Sequence, residues 1–340
     1  MVLDDLDIEQ PEALLAYLRQ TGLIGHNETP QIRYLTGGVS NRTALVERSG
    51  GEAWVIKQAL AKLRVPVDWF SSPERVHREA LGLRWLASLA PAGTVPAFVY
   101  EDHSRHLLIM QAVPQPHQNW KTMLLAGRLE GDHVDQFGRL LAAIHRRAYE
   151  RRGEVAPAFE DRSFFETLRL EPYYRYTAGQ VPAAAPYLDS LCAETLACRL
   201  TLVHGDYSPK NILVYQGRLI LLDHEVIHFG DPAFDLGFSL THFLSKAHHL
   251  PRLRAEFAEA ARRYMSVYRQ SLGTLPWLGE LEARAVRHTL ACLLARVSGR
   301  SPLEYLGPDA RLRQREVVVS LMADPPAMVA DLIHHFIERL

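Results

Sequence analysis

The sequence predicts an α+β protein of two lobes, a small first lobe with an antiparallel sheet and a helix, and a larger, mainly helical second lobe. Three observations lead there. Short β-like runs separated by turns crowd residues 1–110. From residue 117 to 340, apolar residues recur mostly at helical spacing. Between them, Gln111-Ala112-Val113-Pro114-Gln115-Pro116 holds two prolines, which make a stiff, extended linker. The expected division is residues 1–110, a linker over 111–116, and residues 117–340. A chain of 340 residues, 47% apolar, is long enough for two such units with a sizeable core.

In the first lobe, residues 9–20 read as a helix with Pro11 early and Leu14, Leu15 and Leu18 on one face. Gln31 to Leu35 and Arg42 to Glu47 read as strands around the turn Thr36-Gly37-Gly38-Val39-Ser40-Asn41. Its glycines allow positive φ and close backbone approach, so its N–H groups could face phosphates, although a plain hairpin turn would look the same. Ala53-Trp54-Val55-Ile56-Lys57 is a strand ending in lysine. Ser72 and Pro73 start a helix that runs from Arg75 to Leu89 and carries Glu79, with Glu74 in its first turn. A strand lysine held by a helix glutamate is the pairing that grips nucleotide phosphates in kinases. Val95 to Tyr100 and His106 to Met110 complete the strands.

In the second lobe, residues 117–126 and 132–149 read as helices, the latter with Leu140, Leu141, Ile144 and His145. Residues 160–199 mix tyrosines with Arg169 and Arg175, which either line a cleft or pack between helices. Leu202-Val203 runs into His204-Gly205-Asp206-Tyr207-Ser208-Pro209-Lys210-Asn211, a polar loop. Ile212–Tyr215 and Leu219–Leu222 then form a hairpin about Gln216-Gly217, which returns Asp223 to that loop. An aspartate, an asparagine five positions on, and a second aspartate across a hairpin form a phosphoryl-transfer layout. The first orients the attacking hydroxyl and takes its proton; the other two offer hard oxygens to magnesium. Asp231 caps the helix that begins at Pro232, and Asp235 ties that helix to the loop. Further helices follow over 233–247, 253–272 and 277–297, with two more after Ser301.

His204-Gly205-Asp206-Tyr207-Ser208-Pro209-Lys210-Asn211, with Leu221-Leu222-Asp223-His224-Glu225 and Gly230-Asp231-Pro232-Ala233-Phe234-Asp235-Leu236, resembles the aminoglycoside phosphotransferase and choline kinase-like family. That family belongs to the protein-kinase-like superfamily, with methylthioribose and fructosamine kinases as relatives. The resemblance implies a bilobal protein-kinase-like fold that binds ATP and Mg2+. It implies Asp206 as catalytic base, Asn211 and Asp223 as metal ligands, and Lys57 fixed by Glu79 on the phosphates. It places Gly38, Ser40 and Asn41 in the phosphate loop, and Gln111 and Val113 in a hinge whose backbone meets adenine. His145 and His204 are expected as structural supports. Lys210 departs from the family's usual small residue; it is expected on the γ-phosphate. Glu225 either reaches the metal through water or stabilises the loop.

Only seven residues separate Asp223 from Asp231, so a protein kinase's long activation loop has no room. A small-molecule hydroxyl is therefore the expected acceptor. A cleft for polycations would be rich in carboxylates. The arginines within 160–180 predict a neutral or acid-bearing hydroxylated metabolite instead. The formal charge of −1 favours neither nucleic acid nor an anionic membrane. The acidic start lacks a signal peptide's basic region, and Cys192, Cys198 and Cys292 have no zinc or redox spacing, so a reducing cytoplasm is expected. Two other readings remain. One is a catalytically silent nucleotide-binding protein of the same fold. The other is a two-metal phosphohydrolase using His204, Asp206, Asp223, His224 and Asp231, which leaves Lys57 and Glu79 idle.

Overall fold

The computed structural model describes residues 6–35, 40–64 and 70–340. In the small lobe, β1 (Gln31–Tyr34), β2 (Asn41–Glu47), β3 (Ala53–Ala59), β4 (Phe98–Asp102) and β5 (Leu107–Gln111) form an antiparallel sheet ordered β1-β2-β3-β5-β4. Side chains alternate along a strand, so each face has its own helix. Trp54, Ile56, Val46 and Ile109 pack on α1 (Pro11–Gln20) through Leu14, Tyr17 and Leu18. Val55, Leu108 and Met110 pack on α2 (Arg75–Leu89) through Val76, Ala80 and Leu83. The same alternation turns Lys57 toward α2 and Glu79. The α2 helix begins a little later than the Ser72 cap suggests, after a turn in which Ser72 Oγ accepts from the Glu74 N–H at 3.3 Å.

The large lobe opens with β6 (His117–Asn119), α3 (Trp120–Leu125) and α4 (Gly131–Glu150). The helix expected from residue 117 starts only at Trp120. His117–Asn119 instead pairs with the hairpin strand β8, and Asn119 caps α3. After α5 (Arg152–Ala158), Glu166–Arg175 is a π-helix. Its Pro172 has no N–H to give to a regular ladder. Then come α6 (Ala185–Ala197), β7 (Thr201–Val203), β8 (Ile212–Tyr215), β9 (Arg218–Leu221) and β10 (His228–Gly230). β7 pairs with β10, and β8 lies between β6 and β9. The β8–β9 turn is Gln216-Gly217, with φ of 49° and 73°. Positive φ at both positions matches the twist of a tight hairpin. Helices α7 (Pro232–His249), α8 (Arg254–Leu272), α9 (Leu278–Ser298), α10 (Pro308–Ala323) and α11 (Val329–Arg339) finish the chain. Among the described residues no helix is long and apolar enough to cross a membrane.

The α7 helix is the axis of the large lobe: apart from His249, every one of its residues is buried. It crosses α9 at Gly237, where an added Cβ would lie 2.7 Å from the backbone of His288 and Thr289. Backbone cannot yield as a side chain can. Gly237→Ala is therefore expected to cost about 1–3 kcal/mol, read as a lower midpoint in thermal unfolding. An unchanged midpoint would contradict this packing.

Candidate active site

The loop after β7 is held from beneath by Asp235, in the first turn of α7. Asp235 is buried, and its carboxylate accepts from the His204 N–H (2.7 Å) and the Gly205 N–H (2.8 Å). It also meets His145 Nε2 at 3.2 Å, while His145 Nδ1 meets the Tyr268 hydroxyl at 2.8 Å. Gly205 has φ of 78°, and a Cβ there would lie 2.9 Å from Val226 Cγ2, so only glycine fits. His204 Nδ1 accepts from the Asp206 N–H at 3.1 Å. Its proton is therefore on Nε2, 3.1 Å from His224 Nδ1. Burial pushes both imidazoles down, which keeps this pair neutral.

On that support, Asp206 and Asn211 touch directly. Asn211 Nδ2 donates to Asp206 Oδ2 (2.7 Å) and to its main-chain oxygen (3.0 Å). Both partners are acceptors, so the amide nitrogen must face them and the Asn211 carbonyl is left free. The Leu222 N–H donates to the Asn211 carbonyl oxygen of the main chain at 2.9 Å, which brings the end of the hairpin back to the loop. Asp223 follows with φ of 67°. Its Oδ1 lies 3.4 Å from Lys57 Nζ. Burial alone would raise the Asp223 carboxyl, but Lys57, Lys210 and Arg169 hold it well below the usual carboxylate range.

Lys57 Nζ also lies 2.7 Å from Glu79 Oε1. Glu74, the other carboxylate on that segment, turns away to His106 Nδ1 at 3.4 Å. Burial works against the Lys57 charge, and Glu79 with Asp223 more than restores it. Next to Lys57 opens a cavity of about 420 Å³, walled by Leu45, Val55, Met110, Leu213 and Leu222 and bordered by Gln111 and Val113. The Gln111 and Ala112 N–H groups donate to Ala97 and Ala53 carbonyls, both at 2.8 Å. The Val113 N–H has no partner among the described residues. At the start of β2, Asn41 Nδ2 donates to Ser40 Oγ (3.1 Å), while its buried Oδ1 is unpaired. Gly38 lies outside the described residues.

This arrangement can be set against known proteins. A family model described as the phosphotransferase enzyme family matches residues 31–271, more than half of the chain. The chain belongs to that family. A methylthioribose kinase from Pectobacterium carotovorum is 26% identical over 248 residues, covering 64% of this chain and 60% of that one. The chain thus spans about three fifths of the length of the curated relatives it matches. A choline/ethanolamine kinase family protein from Mesorhizobium loti superposes with a TM-score of 0.57 at 16% identity, over 97% of this chain and 98% of that one. The amicoumacin kinase hAmiN, solved with AMP-PNP, Ca2+ and Ami, gives 0.61 at 15% identity, over 93% and 95%. These likenesses fix the fold as the bilobal, protein-kinase-like one.

In this phosphotransferase-family chain, two arginines at the site exceed what the sequence indicates. Arg169, on the π-helix, reaches Asp206 Oδ2 at 2.9 Å and donates from Nε to the Gly205 carbonyl at 2.8 Å. The tyrosine- and arginine-rich stretch left cleft lining and interhelical packing equally open, and no spacing signalled a partner 37 positions away from Asp206. Arg75 is fully buried. It donates to the carbonyls of Ser40, Leu60 (2.8 Å), Ser71 (3.1 Å) and Ser72 (3.0 Å), and meets Glu225 Oε2 at 3.2 Å. Glu225 therefore joins the lobes. Burial and the nearby Asp223 push its carboxyl up to about 7 despite Arg75. Asp231 Oδ1 accepts from the Ala233 N–H (2.9 Å) at the start of α7. Lys210 is exposed, with no side-chain partner among the described residues.

Arg169 holds one oxygen of the carboxylate that Asn211 also holds, so it fixes where Asp206 points. Arg169→Met is expected to lower kcat by roughly 10- to 100-fold, because slight misplacement of a reacting group is that costly. The dissociation constant for nucleotide should stay within about twofold, since Arg169 does not line the cavity beside Lys57. Steady-state kinetics beside equilibrium nucleotide binding measures both. Equal losses in the two would contradict a positioning role.

Proposed function

We propose that this chain moves the γ-phosphoryl group of ATP to a hydroxyl of a small molecule. The observation that carries the reading is the junction of Asp206 and Asn211 with an Asp223 that also meets the Lys57–Glu79 pair. The residues suit the nucleotide. The cavity beside Lys57 is of purine size, largely apolar, and edged by the unpaired Val113 N–H. At its polar end Lys57 carries charge for the α- and β-phosphates, held in place by Glu79. The unpaired Asn41 Oδ1 and the neighbouring Ser40 add polar groups on the phosphate side. The donor set also suits magnesium: the Asp223 carboxylate, kept ionised, and the free Asn211 carbonyl are both hard oxygens. Magnesium there would neutralise charge building on the phosphate oxygens.

Asp206 accepts the proton of the acceptor hydroxyl as its oxygen bonds to the γ-phosphorus. The bond from that phosphorus to the β–γ bridging oxygen breaks, giving a phosphate monoester and ADP. Asn211 and Arg169 keep the Asp206 carboxylate aimed while this happens. Lys210, exposed at the cleft, is free to follow the γ-phosphate. The methylthioribose kinases among the relatives and the AMP-PNP complex of hAmiN support the same chemistry. His204 uses both ring nitrogens within the protein, which speaks against a two-metal phosphohydrolase. The acceptor we favour is a neutral or acid-bearing hydroxylated metabolite rather than a polycation.

The test is ADP release over a panel of sugars, sugar acids, hydroxy acids and amino alcohols, with wild type and Asp206→Asn. Asp206→Asn should lose at least a thousandfold in turnover, given the share expected of base and orientation together. Binding of AMP-PNP with Mg2+ should be unaffected. Full turnover by Asp206→Asn would rule out this assignment.

A further inference from the structure

One face of α7 runs from Asp206 into the large lobe. Phe238, His242 and Lys246 follow one another at four-residue intervals, so they line that face over about 12 Å. At the near end, Phe238 lies 5.9 Å from the guanidinium of Arg169, the partner of Asp206. The opposite wall is Tyr173, whose ring sits between Arg169 (5.9 Å) and Arg296 (5.8 Å). At the far end, Lys246 Nζ lies 5.6 Å from the Tyr305 ring, and Lys121 pairs with Glu304.

The charges here do not balance. Lys246 is fully buried, and its ammonium has one hydrogen bond, to the His242 carbonyl at 3.2 Å. No carboxylate pairs with it among the described residues. Arg296 gives its Nη1 to neutral oxygens only: the Tyr173 hydroxyl (3.0 Å), and Ser301 O (2.6 Å) and Oγ (2.8 Å). The buried His242 ring has no hydrogen-bond partner among the described residues. Burial, with Lys121 and Arg296 nearby, pushes the Lys246 ammonium down to about 7, and Glu304 offsets little of it. Burial and the cations Lys246, Arg296, Lys121 and Lys210 hold the His242 imidazole well below its usual value. Four cations thus face one carboxylate, Glu304, which Lys121 already holds.

A buried cation without a counter-ion is costly, and a methionine would fill its place without that cost. Strongly perturbed buried charges cluster at functional sites. We propose that Lys246, Arg296 and His242 form a cradle for an anionic group, carboxylate or phosphate, on the acceptor whose hydroxyl lies at Asp206. The inference rests on the kinase reading and narrows it to acidic acceptors whose anion is held away from the reacting hydroxyl, at the far end of the Phe238–Lys246 face.

The test uses inorganic phosphate and acetate as probes for the two anion types. Each is titrated into wild type and Lys246→Met, with the phosphate-binding end blocked by saturating AMP-PNP and Mg2+, and followed by calorimetry. Wild type should bind at least one probe with a millimolar dissociation constant, and the tighter probe identifies the group. Lys246→Met should weaken that binding at least tenfold, bind AMP-PNP as wild type does, and melt no lower in the absence of anion. Arg296→Gln, a second and independent variant, should also weaken the probe. Absence of binding to wild type, or unchanged affinity in both variants, would overturn the cradle. If AMP-PNP binds while the probes do not, only the cradle falls; if AMP-PNP does not bind, the kinase reading falls with it.

Discussion

Everything at the site hangs on the buried carboxylate of Asp235. It accepts the His204 and Gly205 N–H groups and meets the His145 imidazole, so three groups from two other segments converge on one side chain. Burial opposes its charge, but these partners hold its carboxyl below the usual range. A carboxylate so held is rigid, because losing any partner leaves charge buried and unpaired. That rigidity passes to His204, whose Nδ1 takes the next N–H, and so to Asp206. The family motif's second half, far along the chain, is the foundation of its first half.

Much of this was legible in the sequence, and the reason is local. Lys57 and Glu79 fall on elements whose periodicity is plain: a strand alternating Trp54, Ile56 and Gln58 inward, and a helix with Val76, Ala80 and Leu83 on one side. The hairpin that returns Asp223 is announced by Gln216-Gly217. What was not legible depends on pairing across distance. His117–Asn119 becomes a strand because the hairpin edge is there to receive it, which no helical periodicity records. Arg169 sits on a π-helix, whose wider turn displaces side chains from a 3.6-residue pattern. Arg75 looks like any basic residue at a helix start, yet it is buried because four carbonyls and Glu225 meet around it.

The two arginines also show how the site tolerates so many buried carboxylates. Asp206 is balanced by Arg169, Glu225 by Arg75, and Glu79 by Lys57. Asp223 shares its contact cation, Lys57, with Glu79, and Lys210 and Arg169 act on it only from farther off. A carboxylate with no contact cation of its own beside a free amide carbonyl offers hard oxygens of the kind a divalent cation takes. Removing any of the three cations would leave a carboxylate stranded, which makes the geometry a collective property of the set.

The far end of the α7 face, around Lys246, is unbalanced in the opposite sense. There the excess is cationic, and among the described residues no carboxylate but Glu304 is placed to cancel it. Two opposite imbalances joined by an apolar ring stripe of Tyr173 and Phe238 would be unstable features in a scaffold with nothing to bind. They make physical sense as halves of one reaction site. In the proposed reaction, magnesium would meet the deficit near Asp223, and the acceptor's own anion the surplus near Lys246. The acceptor hydroxyl would then be set at Asp206 by a charge held away from the transferring phosphoryl, which would otherwise repel it. On this view the distance between the two imbalances is itself the specificity determinant, since a shorter acidic molecule would satisfy Lys246 and leave its hydroxyl short of Asp206.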